Sequence, residues 1–171
     1  MHFVGSAPWF AVLITIHIVG AIVGIGPSFA FGIIGFVSQK APDGAILSLL
    51  RVERGIERFL LAPVTRYTQW TTGVLLIFNR GLNHGFFAWR HAWLITAIIL
   101  YIILFTAGEG ITAPALKKML ALAESGASNA EVEAAGAASM KLGPMYPLFV
   151  IIIAVLMIWK PGSGCGLLLR C

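Results

Sequence analysis

Residues 8–37 read PWFAVLITIHIVGAIVGIGPSFAFGIIGFV, a run with no Asp, Glu, Lys or Arg. As a helix, about thirty residues extend roughly 45 Å, more than the roughly 30 Å hydrocarbon core of a bilayer. Lipid offers no hydrogen bonds, so backbone that enters it must satisfy itself as a helix. The run is too long for a signal-peptide core and is expected to remain as a tilted or projecting span.

Working outward, three further apolar runs cover residues 59–78, 87–107 and 145–159. The reading is therefore an all-α, polytopic membrane protein with four transmembrane helices in a bundle. One domain is expected over residues 1–162, followed by a tail over 163–171.

Composition excludes most alternatives. The chain of 171 residues is 58% hydrophobic and 11% charged, with mean hydropathy +0.90. A soluble domain carries about 25% charged residues and needs them to cover its surface. The net charge of +5 does not indicate nucleic acid. The basic residues sit between the apolar runs rather than in a stripe interleaved with aromatics. Cys165 and Cys171 fall in the tail and have no metal-ligand spacing to a histidine.

The connections differ in kind. Residues 38–58 open with Ala41-Pro42-Asp43-Gly44 and then read as an amphipathic helix. Ile46, Leu49, Leu50, Ile56 and Leu60 form its apolar side, with Arg51, Glu53, Arg54, Glu57 and Arg58 mostly elsewhere. This is expected to be an interfacial helix leading into the second span. Residues 79–86 form a Gly/Asn-rich hairpin. Residues 108–142 form the longest connection, helical on both sides of a break at 125–129, with Asn129 as the expected cap.

Lys and Arg counts set the orientation. Lys40, Arg51, Arg54, Arg58, Lys117, Lys118 and Lys141 lie in the first and third connections. Arg80, Arg90, Lys160 and Arg170 lie in the hairpin and tail. The excess places both termini outside.

Few residues inside the spans carry chemistry. Gly20, Gly24, Ser28 and Gly32 recur every four residues and make a face for close helix approach, either within the bundle or for a partner. His17 lies near mid-membrane beside that face. A neutral imidazole there either bonds a neighbouring helix or ligates haem iron or a metal. His91, in Trp89-Arg90-His91-Ala92-Trp93, is shallower by roughly 8 Å at helical rise, which disfavours a ligand pair at one depth. Arg66 sits seven residues into the second span and must snorkel, pair or line a wet cavity. Glu109 is its expected internal partner, and propionate or phospholipid head groups are suitable external anions. No P-loop, zinc-protease helix, nucleophile elbow or dinucleotide fingerprint is present.

The order of these motifs carries a resemblance. Ile16-His17-Ile18-Val19-Gly20 is followed by Gly26-Pro27 and Phe29-Ala30-Phe31-Gly32. Then come Trp89-Arg90-His91-Ala92, Ala113-Pro114-Ala115-Leu116 and a closing Leu156-Met157-Ile158-Trp159-Lys160-Pro161-Gly162. The chain resembles a bacterial family of predicted four-helix integral membrane proteins of unknown function. More distantly it is similar to the copper-resistance D proteins and the four-helix bacterial protoporphyrinogen oxidase. That second likeness implies a functional first-span histidine, at His17, and a third-span lysine. Trp93 stands where the lysine would be, which argues against that oxidation.

Two function classes result. One is a non-catalytic bundle in the bacterial inner membrane, serving as an accessory subunit with membrane-protein partners in an electron-transfer or photosynthetic assembly. The other is a redox protein holding a b-type haem or metal at His17, with His91 as the second candidate. Transport is weakened by the lack of paired broken helices.

Overall fold

The computed structural model describes residues 6–38, 42, 45–78 and 91–161. The 79–86 hairpin, most of the 41–44 turn, His2, Lys40, His84, Arg80, Arg90 and the tail with Cys165 and Cys171 lie outside the described residues.

Four helical rods make up the described chain. The first joins α1 (Ser6–Gly20) to α2 (Ser28–Ser38). The second joins α3 (Ala45–Ile56) to α4 (Trp70–Phe78). The third joins α5 (Ala92–Ala107) to α6 (Ala113–Glu124), and the fourth joins α7 (Asn129–Leu142) to α8 (Met145–Trp159). No strand occurs among the described residues. Three helices are long and apolar enough to cross a membrane: Trp9–Ser38, Ala92–Glu124 and Asn129–Trp159. The second rod is helical over residues 45–78 and carries the charges at Arg51–Arg58 and Arg66.

Wide π-helical turns interrupt the rods at Ala21–Ile25, Glu57–Leu61, Val64–Gln69 and Gly108–Thr112. Three of these four placements follow from proline. A proline ring inside a helix collides with the carbonyl four residues earlier. For Pro27, Pro63 and Pro114 that carbonyl belongs to Val23, Phe59 and Gly110, each inside one of these turns. Widening the turn displaces the carbonyl without ending the helix. Polar side chains serve carbonyls near these turns: Thr65 Oγ1 donates to Leu61 O at 2.7 Å, and Tyr101 Oη donates to Thr65 O at 2.8 Å.

The long connection at 108–142 is helical on both sides of the break at 125–129, as expected, and its two helices continue the third and fourth rods. Apart from Pro114, nothing in it breaks a helix until Ser125 and Gly126. Gly126 adopts φ +79°, a left-handed turn conformation that glycine accepts without a Cβ clash. Ser128, rather than the expected Asn129, caps α7. Its side chain accepts from the Glu131 backbone N–H, and the Glu131 carboxylate accepts from the Ser128 N–H at 2.9 Å.

Two cores hold the rods. At the charge-rich end, Ile46 and Leu50 of α3 are buried with Leu116 and Val132. The apolar side of the expected interfacial helix thus packs on protein. At the opposite end, Leu76, Trp93 and Leu94 are buried against Leu13, Ile14 and Leu156. The Lys160 ammonium lies 5.8 Å from the Trp93 ring and ties the end of the fourth rod to the start of the third.

Candidate functional site

In the charge-rich half of the bundle, bordered by the Ile46, Leu50, Leu116 and Val132 core, lies a cavity of about 440 Å³. The wall is mainly apolar, with Ile46, Leu50, Leu104, Leu116, Phe31 and Val150 among its side chains. This size suits one small molecule, since ligand pockets run about 300–1,000 Å³. Aromatic contacts brace it on one side. Trp70 meets Tyr101 and Phe105 edge-to-face at 5.5 and 5.9 Å. On another side, Thr112 Oγ1 and Tyr146 Oη share a 2.9 Å hydrogen bond between the third and fourth rods.

Four carboxylates reach this wall: Glu53, Glu57, Glu109 and Glu133. Glu57 pairs with Arg54 on its own rod. Glu109 is held by Arg66, whose Nε donates to Glu109 Oε1 at 2.9 Å while its Nη2 contacts Oε2. Glu53 is different. It makes no hydrogen bond or ion pair among the described residues, and burial pushes its carboxyl up to about 7. The sequence pattern sets Glu53 among the charges mostly away from the apolar side of α3. In the structure Ile46, Leu50, Glu53 and Glu57 share the cavity-facing side. Their spacings of four, three and four residues carried that signal.

Gly20 and Gly24 are covered by the second rod. A Cβ on Gly20 would lie 2.9 Å from Gln69 Nε2, and one on Gly24 would lie 2.6 Å from Val64 Cβ. Gln69, buried at 5% exposure, also donates to the His17 carbonyl at 2.9 Å. Further along the stripe, Ser28 lines the cavity with a buried hydroxyl that has no hydrogen-bond partner among the described residues. Gly32 and Gly35 also line it, and a Cβ on either would meet nothing within 4 Å.

His17 lines neither this cavity nor the smaller one described below. Its Nδ1 lies 2.8 Å from Thr72 Oγ1. The Thr72 hydroxyl donates its only proton to Thr68 O at 2.6 Å, so it accepts from His17. Nδ1 therefore carries a proton, and in the neutral imidazole the lone pair lies on Nε2. His91 is the residue before α5 and stacks on Trp93 at 6.2 Å. No contact joins the two imidazoles, and no group of three His, Cys, Asp or Glu suited to a metal occurs among the described residues.

No curated protein and no solved structure matches the chain. The likeness to the copper-resistance D proteins is therefore not carried further. A family model does match, over residues 11–161, from within α1 to just past α8. Four rods, an apolar surface and that match together place the chain in the DUF2269 family of predicted integral membrane proteins.

Proposed function

We propose that this protein is a non-catalytic, four-span bundle of the bacterial inner membrane that holds one amphiphilic small molecule in its charge-rich half. The ligand class is an apolar body bearing a cationic or hydrogen-bond-donating head. The observation that supports this reading is the 440 Å³ apolar cavity with Glu53 on its wall and no counter-charge facing it among the described residues. A carboxylate in an apolar setting costs free energy unless it is neutralised or paired, and a cationic or donor head supplies the pairing. The second rod completes four crossings in this reading, with Arg66 neutralised by Glu109. The Lys and Arg distribution puts the cavity on the inner side and both termini outside.

An accessory-subunit role would use the small-residue face for docking. Gly20 and Gly24 are taken by Gln69 and Val64, so two of its four positions are not open to a partner helix. The test of the ligand reading is native mass spectrometry of protein released from membranes in mild detergent. Bound mass that Gly32→Leu and Gly35→Leu expel supports it. Bound mass unaffected by both variants opposes it.

A second reading is favoured by one observation, the Nε2 lone pair of His17 fixed by Thr72. A haem or metal ligand needs that tautomer, with its other ring nitrogen held by a hydrogen bond. The reading ranks second because His17 stands outside both cavities. A b-type signal in a reduced-minus-oxidised spectrum, lost in His17→Ala, would raise it to first. A colourless protein would remove it.

A further inference from the structure

We infer that a second, polar pocket between the second and third rods binds the phosphate of an anionic phospholipid head group. The pocket is about 190 Å³, is lined by Arg66, and shares Glu57 and Glu109 with the wall of the large cavity. Its charged walls are Arg54, Glu57, Arg58 and Arg66 from the second rod, and Glu109 and Lys117 from the third. Both carboxylates are already matched, Glu57 by Arg54 and Glu109 by Arg66. Arg58 and Lys117 have no ion pair among the described residues. They face one small polar space from opposite rods, leaving it with two uncompensated positive charges.

A phosphate monoanion or diester suits such a space. It offers several acceptor oxygens to a guanidinium and an ammonium at once. The surroundings favour a phosphate that carries acyl chains. Phe59 and Tyr67 stand next to Arg58 and Arg66 on the second rod and are 72% and 69% exposed. The Arg58 guanidinium lies 5.7 Å from the Phe59 ring. The pocket thus borders an apolar flank, so a head group can enter while its chains stay in lipid. Basic pockets between membrane helices at the cytoplasmic face recognise anionic head groups in this manner. The inference does not depend on the ligand proposed for the large cavity, because the two sites use different free groups: Glu53 there, Arg58 and Lys117 here.

The experiment is a thermal-melt titration of the full chain in neutral detergent, with added phosphatidylglycerol, phosphatidylcholine or inorganic phosphate. Phosphatidylglycerol should raise the melting temperature at concentrations where phosphatidylcholine does not. The Arg58→Gln/Lys117→Gln double variant should weaken that response at least tenfold in apparent affinity, about what losing one charge-assisted hydrogen bond removes. The matched control is Arg51→Gln/Lys118→Gln, which lowers the net charge equally outside the pocket and should respond as wild type. A response to phosphatidylglycerol alone assigns the site to lipid. An equal response to inorganic phosphate supports the phosphate site and assigns it to the free ion. No preference for phosphatidylglycerol together with no response to phosphate, a full response in the pocket variant, or an equal loss in the control would each overturn the inference.

Discussion

A single methyl group added at Gly24 enters space already held by Val64. The new Cβ would stand 2.6 Å from Val64 Cβ, where carbon atoms normally rest about 3.5–4.0 Å apart. The rods must separate by roughly 1 Å or strain locally, and overpacking of this kind costs about 1–3 kcal/mol. Alanine returns about 1 kcal/mol of helix propensity relative to glycine. Gly24→Ala should therefore be neutral to roughly 2 kcal/mol destabilising. Gly32→Ala, two turns along the same stripe, meets nothing within 4 Å and should show only the gain. The two substitutions are chemically identical, so their difference isolates the contact. Reversible unfolding in mixed micelles, titrated with SDS, measures both. Val64→Ala removes the nearest methyl and should recover part of the Gly24→Ala loss, giving a coupling energy in a double-mutant cycle. Equal stabilities for Gly24→Ala and Gly32→Ala would refute intramolecular packing of the stripe.

Three other outcomes are expected. Glu53 has a raised carboxyl pKa, about 7 against an ordinary 4.5, so the folded state holds a proton that the unfolded state releases. Its contribution to stability is then greatest below pH 4.5 and falls as pH rises through 7, by up to about 3 kcal/mol. Glu57, Glu109 and Glu133 share that wall, and Glu53→Gln should flatten the dependence in ligand-free protein; an unchanged pH profile in the variant would count against a buried, unpaired Glu53. Ser128→Ala removes the capping-box hydroxyl of α7 and should lower thermal stability by about 1 kcal/mol; no change in the melt would mean that the box adds nothing. His17→Ala should leave membrane insertion intact, since insertion follows summed apolarity. Carbonate-resistant membrane association tests this, and loss of the protein from that fraction would contradict it.

The helices were largely legible because apolar length is a local property. The charge-free run at 8–37 announces a long rod, and the scarcity of acidic residues near spans makes Glu109 the evident match for Arg66. The cap of α7 falls one residue before the expected Asn129: Ser128-Asn129-Ala130-Glu131 has the capping-box spacing, but the adjacent Asn129 is an equally good capping type. Glu53 was harder to read, because a carboxylate among Arg51, Arg54, Glu57 and Arg58 reads as a solvated face. Its position becomes informative only when Ile46 and Leu50 are seen packed on Leu116 and Val132. The cavity lay beyond a local reading. It arises from how four rods come together, and its wall draws on residues from Ile25 to Val150. His17 shows the same limit, since Thr72, which sets its tautomer, is 55 residues away.

The most direct test of a ligand-holding bundle is native mass spectrometry of the protein released from its own membranes, with Glu53→Gln and Gly35→Leu beside it. The account predicts one bound small molecule on the wild type besides any phospholipid at the Arg58 and Lys117 pocket, weakened by Glu53→Gln and absent from Gly35→Leu. A wild-type protein that carries no bound mass other than phospholipid, or one whose non-phospholipid molecule survives both substitutions, would contradict it.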